Sequence, residues 1–352
     1  MVLVSVVLPL NRIDDYTSLA IESVLASCHV ELELIIICDQ LPKDQLQPLL
    51  GSEPDPRIRV FNSDGKGIAA ALNKGIFVAT GSYIARMDGD DVCHTDRLRL
   101  QVDYLTANPK TSMVGTGVEL ICPHGTVLGS RIFPRRVSKH SLLKPFSSPV
   151  AHPSVMIRSS ALANGNVYRE LFEGFQAEDF DLWYRVLDVG RIENLSDKLL
   201  RYRIHPNQIS TVKSREVALS TAAVVLLDLH NSVTSESLNL AKWYGDPERL
   251  VSYLAQTETL RNLTLPRRIR AHTYIGYMGA FEILRRMRSR ITGTGSGIET
   301  GSSVSFMGTR FRLWSWFLLG FVACLHLSNA IRLLARRFLE CEQCKAAPIS
   351  QN

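Results

Sequence analysis

Ser82-Tyr83-Ile84-Ala85-Arg86-Met87-Asp88-Gly89-Asp90-Asp91 decides how this chain is read. Its first half is short and apolar, as a strand should be, and its second half sets three carboxylates within four positions. A strand ending in clustered acids delivers unneutralised negative charge to the rim of a sheet. That is costly unless a cation offsets it. Hard divalent ions such as Mg2+ or Mn2+ take oxygen ligands, commonly one or two carboxylates together with substrate phosphates. Taken alone, the stretch also reads as a solvated acidic turn capping the helix that begins near Thr95. Its surroundings separate the two readings.

Upstream, two kinds of segment alternate. Residues 2–10, 31–39, 57–62 and 82–88 are short and rich in Val and Ile, whereas 14–27, 41–50 and 67–79 carry apolar residues at helical spacing. This order predicts an α/β fold, a Rossmann-like, mostly parallel sheet flanked by helices. Such sheets bind ligands where the carboxyl ends of their strands meet the loops. Pro9-Leu10-Asn11, Asp39-Gln40, Ser63-Asp64-Gly65 and Asp88-Gly89-Asp90 all fall at those ends, so the acids converge on one crevice. Downstream, a helix is expected over 95–108, stopped by Pro109, then strands over 113–121 and 154–157. A further helix over 179–189 has Phe180, Trp183 and Leu187 on one face and the acids Glu178 and Asp179 at its start.

The chain has 352 residues, 45% of them hydrophobic, and a net charge of +6. That is enough for a large α/β domain with an appendage and excludes wholesale disorder. Four regions are expected: a catalytic domain over 1–213, a basic helical extension over 214–290, a Gly/Ser/Thr-rich linker over 291–309 and an apolar, basic tail over 310–352. The extension holds eight arginines between Arg261 and Arg290 against one acid, Glu282. On charge alone such a patch suits nucleic acid or an anionic membrane surface. In the tail, residues 313–327 are apolar but fall short of the roughly 20 needed to span a bilayer. Basic residues flank them on both sides, so an in-plane or shallowly inserted helix is expected ahead of a full span or a packing helix.

No secretory signal is read at the N-terminus. The seven cysteines are scattered and odd in number, which fits a reducing cytoplasm. Cys341-Glu342-Gln343-Cys344 lacks a second pair or nearby His and reads as ordinary thiols. Asn194-Leu195-Ser196 and Asn262-Leu263-Thr264 then read as chance matches to a glycosylation signal.

Four constellations agree in order and separation. They are Val4-Ser5-Val6-Val7-Leu8-Pro9-Leu10-Asn11; Gly67-Ile68-Ala69-Ala70-Ala71-Leu72-Asn73-Lys74-Gly75; the acidic stretch with Arg97 and Gln101; and His152-Pro153-Ser154, Glu178-Asp179-Phe180-Asp181-Leu182-Trp183 and Tyr202-Arg203-Ile204-His205-Pro206. Together, over about residues 2–215, they closely resemble bacterial family 2 glycosyltransferases of the GT-A fold. The resemblance implies inverting transfer of a sugar from a nucleoside diphosphate sugar to a hydroxyl of a cell-surface polysaccharide or lipid-linked glycan. It also implies Mg2+ or Mn2+ as cofactor and no nucleic-acid partner, while the basic helices and apolar C-terminus add the expectation of work at the cytoplasmic face of the membrane.

Residue by residue, the resemblance makes Asp90 the leading metal ligand, with Asp88 on the ribose or reaching the ion through water, and His205 near the diphosphate or its metal. Pro9, Asn11, Asp39, Gly67, Asn73, Arg86 and Asp88 fall to the donor, and Asp39 to its base. Asp179 becomes the base that takes the acceptor proton. Glu178 and Trp183 fall to the acceptor side, and Asp181 to loop support. On residue chemistry alone, Glu178 and Asp179 equally cap a helix N-terminus, and Trp183 equally packs a core. The chain departs from the family at Cys38-Asp39-Gln40, where many members have Asp-Asp-Gly-Ser. It departs again at Leu72, where other branches have an Arg, so a phosphate contact is expected either to be missing or to be supplied by Lys66 or Arg86. Two other readings stay open: a sugar-phosphate nucleotidyltransferase, and a membrane-tethered nucleotide-sugar-binding protein without turnover.

Overall fold

The computed structural model describes residues 2–139, 148–163, 167–169, 175–205, 208 and 214–231. Four parallel strands open the chain: β1 (Leu3–Leu10), β2 (Glu31–Cys38), β3 (Ile58–Asn62) and β4 (Tyr83–Arg86). Helices α1 (Asp15–Leu25), α2 (Gln47–Leu50) and α3 (Ile68–Val78) connect them. α1 is started by a capping box: the Asp14 carboxylate accepts the Tyr16 amide at 3.1 Å, and Thr17 Oγ1 accepts the Asp14 amide at 3.1 Å. The helix expected over 41–50 shrinks to a 3-10 turn, Lys43–Leu46, and the single turn of α2. Pro42 and Pro48 bring no amide donors and limit what can form there.

Beyond β4 come β5 (Val92–Cys93), α4 (Arg97–Ala107), β6 (Thr111–Ile121), β7 (Val127–Arg131), β8 (Arg136–Val137), β9 (Met156–Arg158), α5 (Glu178–Val189), β10 (Arg191–Arg203) and α6 (Ser214–Asn231). The strand order is β3-β2-β1-β4-β9-β6-β10-β5, with β7 added on β6 and β8 on β10. β9 runs antiparallel to both β4 and β6, whereas β10 is parallel to β6. β1 and β2 lie inside the sheet and are covered on both faces, which is why they read as unbroken apolar runs; Val4, Val6, Leu8, Leu34 and Ile36 are all at most 1% exposed.

Register brings the functional segments to one edge. Leu10 pairs with Cys38 and Cys38 with Asn62, so Asn11, Asp39 and Ser63 follow side by side. Because β9 is antiparallel, His152-Pro153-Ser154 enters from that same edge, and β10 delivers His205 to it. The opposite edge is closed around Glu33. Its Oε1 accepts Ser5 Oγ at 2.6 Å and both the amide and hydroxyl of Thr80 at 2.7 Å, while Arg59 pairs with Oε2. Gly81 is required there, since a Cβ would lie 2.7 Å from Leu3 O and Ser5 N.

The two compact units of the chain divide near residue 217, and sheet and site belong to the first. No helix among the described residues is long and apolar enough to cross a membrane. The arginine patch, the linker, the apolar tail, Asn262 and the Cys341–Cys344 pair lie outside the described residues. Asn194 sits inside β10, 3% exposed, its amide donating to Pro134 O and Pro149 O, which is no place for a glycan.

Candidate active site

The loop after β4 holds Asp88, Asp90 and Asp91, each with an oxygen within 4.8 Å of the others'. Such crowding has electrostatic consequences. Burial, then the charges of Asp88 and Asp90, push the Asp91 carboxyl well above the usual range. Burial also raises Asp88 to about 6, aided by Asp90 and Asp179 and opposed by its ion pair with buried Arg86. Asp90 goes the other way. Burial opposes its charge, but His205 Nε2 lies 2.9 Å from its Oδ2 and holds the carboxyl below the usual range. Asp91 Oδ1 accepts the Arg203 amide at 2.8 Å, while its Oδ2 is buried without a partner. Crowded carboxylates, one buried free oxygen and an imidazole suit a hard divalent cation with a borderline nitrogen ligand.

Arg203 had no role in the sequence reading, yet it anchors this loop. Its Nε donates to Asp90 O at 2.8 Å and its Nη1 to Pro123 O at 2.7 Å, while its guanidinium lies 4.2 Å from the Tyr16 ring centroid. Arg97 and Gln101 of α4 are both fully buried supports. Arg97 donates to Arg86 O at 2.8 Å, and Gln101 donates to Val114 O and Ser154 O. They tie β4, β6 and the turn before β9 together beneath the acids.

At the ends of β1 and β2, Asp39 is buried, with Oδ2 accepting the Gly67 amide at 3.0 Å and Oδ1 left without a partner. Gly67 starts α3 at φ +90, a conformation that a side chain would strain. Pro9 is half-buried and Asn11 exposed at the end of β1. Leu72 is in the core, 1% exposed. Asn73 binds backbone: its amide donates to Tyr168 O at 2.8 Å and its Oδ1 accepts the Tyr168 amide at 3.0 Å.

Across the crevice, Glu178 and Asp179 open α5, where the helix dipole favours acids. Asp179 Oδ1 accepts the Phe180 amide at 2.6 Å; its Oδ2 lies 4.0 Å from His152 Nδ1. Burial raises both carboxyls, and the neighbouring charge of Asp179 then helps push Glu178 to about 8. Asp179 keeps 26% of its side chain exposed while Glu178 is 9% exposed overall, so the pair holds its charge on Asp179 and its proton on Glu178. Trp183 is completely buried and meets His152 edge-on, with ring centroids 5.5 Å apart; it packs behind the site and offers no face to a ligand. Asp181, 2% exposed, binds Arg169 and Arg185.

Residues 5–161 match the model of Glycosyl transferase family 2. The O-antigen biosynthesis glycosyltransferase WbnJ of Escherichia coli is 35% identical over 220 residues, 60% of this chain and 83% of WbnJ. WfgD of E. coli, a UDP-Glc:alpha-D-GlcNAc-diphosphoundecaprenol beta-1,3-glucosyltransferase, is 26% identical over 218 residues, 61% of this chain and 82% of WfgD. Among solved structures, residues 1–349 of S. aureus TarS in complex with UDP-GlcNAc share the fold, with a TM-score of 0.52 at 14% identity over 79% of this chain and 80% of that one. The sheet and crevice are those of the GT-A fold. The chain belongs to glycosyltransferase family 2 and is a glycosyltransferase. The nucleotidyltransferase and non-catalytic readings fall away.

Proposed function

We propose that the protein transfers a sugar, with inversion, from a nucleoside diphosphate sugar to a hydroxyl of a cell-surface polysaccharide or lipid-linked glycan, aided by Mg2+ or Mn2+. The observation that carries this is the meeting of two acid groups at one sheet edge, close enough that Asp179 raises the pKa of Asp88. One group suits a cation and the other a base. Support for the donor and acceptor classes comes from names: WbnJ acts in O-antigen biosynthesis, WfgD takes UDP-Glc and a diphosphoundecaprenol-linked sugar, and TarS holds UDP-GlcNAc.

Asp90, Asp91 and His205 would hold the ion, whose charge, when bound, offsets the negative charge growing on the leaving diphosphate. Asp39, with its free buried Oδ1, suits a donor group on the nucleoside, and Gly67 lets backbone approach there. Pro9 and Asn11 border that pocket at the end of β1. Arg86, buried beside Asp88 with its Nε unpartnered, adds fixed positive charge. The acceptor oxygen attacks the anomeric carbon from the side opposite the diphosphate, and the bond to the diphosphate breaks with its electron pair. The acceptor proton passes to Asp179, and the single displacement at the anomeric carbon inverts that centre. A carboxylate raised by burial is the stronger base for that task. The working place proposed is the cytoplasmic membrane face, supported by the arginines of 261–290 and the apolar stretch 313–327.

The purified protein should release one nucleoside diphosphate when a panel of UDP-, GDP- and dTDP-sugars is offered with Mn2+. Silence across the panel, with and without a synthetic α-GlcNAc-diphosphate-undecyl acceptor, would remove this reading. Ending the chain at Gly293 should shift the protein from membrane to soluble fractions; unchanged fractionation would exclude the tail as anchor.

A further inference from the structure

His152 and Tyr168 face the proposed base, and the mechanism above leaves both unused. Tyr168 is fastened by its neighbours. Asn73 clasps its backbone from α3, Asp181 of α5 binds Arg169, and Arg185 donates to Val167 O. That fastening is far more than a surface loop needs. It holds the Tyr168 hydroxyl 2.8 Å from His152 Nε2. The His152 ring is itself clamped between Tyr168, at 5.4 Å, and the edge of Trp183.

The protonation of this pair follows from its setting. Burial first, and then the charge of Arg86, hold His152 well below its usual pKa, so the imidazole is neutral and carries one proton. Burial raises Tyr168 and keeps its hydroxyl protonated. A lone pair on Nδ1 would confront the Asp179 carboxylate, whereas an N–H there is attracted to it. The favoured tautomer therefore bears its proton on Nδ1, and Nε2 accepts from Tyr168.

The distance from Nδ1 to Asp179 Oδ2 is 4.0 Å. That is too long for a direct hydrogen bond, yet it admits one oxygen at about 2.8 Å from each atom. Asp179 Oδ1 is engaged by the Phe180 amide, so Oδ2 is the oxygen left to act.

We propose that His152 is a second catalytic residue, which seats the acceptor hydroxyl between its Nδ1–H and Asp179 Oδ2, with Tyr168 as the positioning residue that fixes the tautomer. The proposal rests on the reading of Asp179 as base. Each feature of the hydroxyl then has one partner. Its proton points to Asp179, one lone pair accepts from His152 Nδ1–H, and the other lone pair faces the anomeric carbon. As the new carbon–oxygen bond forms and the bond to the diphosphate breaks, the hydroxyl proton moves to Asp179 and His152 keeps its own.

The test uses the full chain with Mn2+ and either UDP-glucose or UDP-N-acetylglucosamine, with water as the acceptor hydroxyl and release of UDP as the signal. Asn at position 152 can place an N–H near Nδ1, whereas Gln reaches only toward Nε2. His152→Ala and His152→Gln should each lower kcat about 100-fold, the usual scale for one lost hydrogen-bond donor at a reacting oxygen. His152→Asn should recover most of that loss, and UDP binding by calorimetry should match the parent in all three. Tyr168→Phe removes a single oxygen with little change of shape, and should lower kcat about 10-fold at unchanged donor KM. Parental kcat in His152→Ala, in His152→Gln or in Tyr168→Phe would overturn the proposal, as would an Asn variant no better than Ala. Asp179→Asn separates the two levels. If that variant is dead while the His152 and Tyr168 variants are parental, only the present inference fails; if it is fully active, the base reading fails with it.

Discussion

The two ends of the sheet treat buried carboxylates in opposite ways. At the amino-terminal end, Glu33 is met by Ser5, by the amide and hydroxyl of Thr80 and by Arg59; burial works against its charge, but these donors outweigh it and bring its pKa down to about 2. Glu193 fares similarly at the start of β10. Burial again opposes the charge, and Thr111, Tyr104 and Arg136 overcome it. At the carboxyl-terminal end, burial raises Asp88, Asp91, Glu178 and Asp179 because their donors do not outweigh it, and like charges add to the rise in the first three. Burial alone therefore says little about what an acid is for. A carboxylate supplied with three or four donors is a clamp; one deprived of them holds unsatisfied charge for a ligand or a proton.

Four substitutions test this contrast, beginning with the most severe. Asp90→Ala should lower Mn2+-supported UDP release about 100-fold or more, because charge stabilisation of a leaving diphosphate is worth several kcal/mol. Parental turnover in that variant would make the acidic end no more functional than the other. Glu33→Gln should destabilise the fold. A fall from the ordinary 4.5 to about 2 corresponds to roughly 3 kcal/mol at neutral pH. Because the folded pKa is the lower one, that stability is present above pH 4.5 and is lost as pH falls through about 2. Urea melts should show the gap between parent and variant closing in acid, and a gap independent of pH would break the account of Glu33.

Glu178→Gln should do the reverse. Its folded pKa, about 8, lies above the ordinary 4.5, so the parent loses stability as pH rises between these values. The glutamine has no proton to retain, so its Tm should rise above the parent's by a few degrees, increasingly toward pH 8. A variant less stable than the parent throughout would place Glu178 with the clamps. Ser5→Ala is expected to be the mildest, about 1 kcal/mol for one hydrogen bond to Glu33. It also withdraws the acceptor of the Gly81 amide, which lies 2.8 Å from Ser5 Oγ. No change in the denaturation midpoint would show that Thr80 and Arg59 suffice.

Much of the first half was legible residue by residue. β1, β2 and β4 announce themselves as apolar runs because each is short and lies inside the sheet, β3 at the edge is marked by Ile58, Val60 and Phe61, and the helices between them carry their own period. The acids at the strand ends could be read for the same reason, since adjacency in sequence put Asp88, Asp90 and Asp91 on one loop. β10 escaped notice: Arg191-Ile192-Glu193-Asn194-Leu195-Ser196-Asp197-Lys198 has no apolar run, and its pairing with β6 shifts register more than once. Trp183 and Asn73 were legible as residues of the region but not in their engagements, one wholly buried behind His152 and the other clasping Tyr168. Tyr168 gave no sign at all. Nothing in Val167-Tyr168-Arg169 marks a residue whose neighbours are bound by Asp181 and Arg185.

From the order of residues alone came the parallel strands, the edge at which their acids gather, and the helix that begins with Glu178 and Asp179. These depend on local periodicity and on neighbours in the chain, which a linear reading contains. Tertiary structure alone decided which acids stay unsatisfied, and that His152, in the turn leading into the antiparallel strand β9, meets Asp179 and Tyr168. Donor supply and desolvation are set by groups far apart in the chain, and no local pattern specifies them.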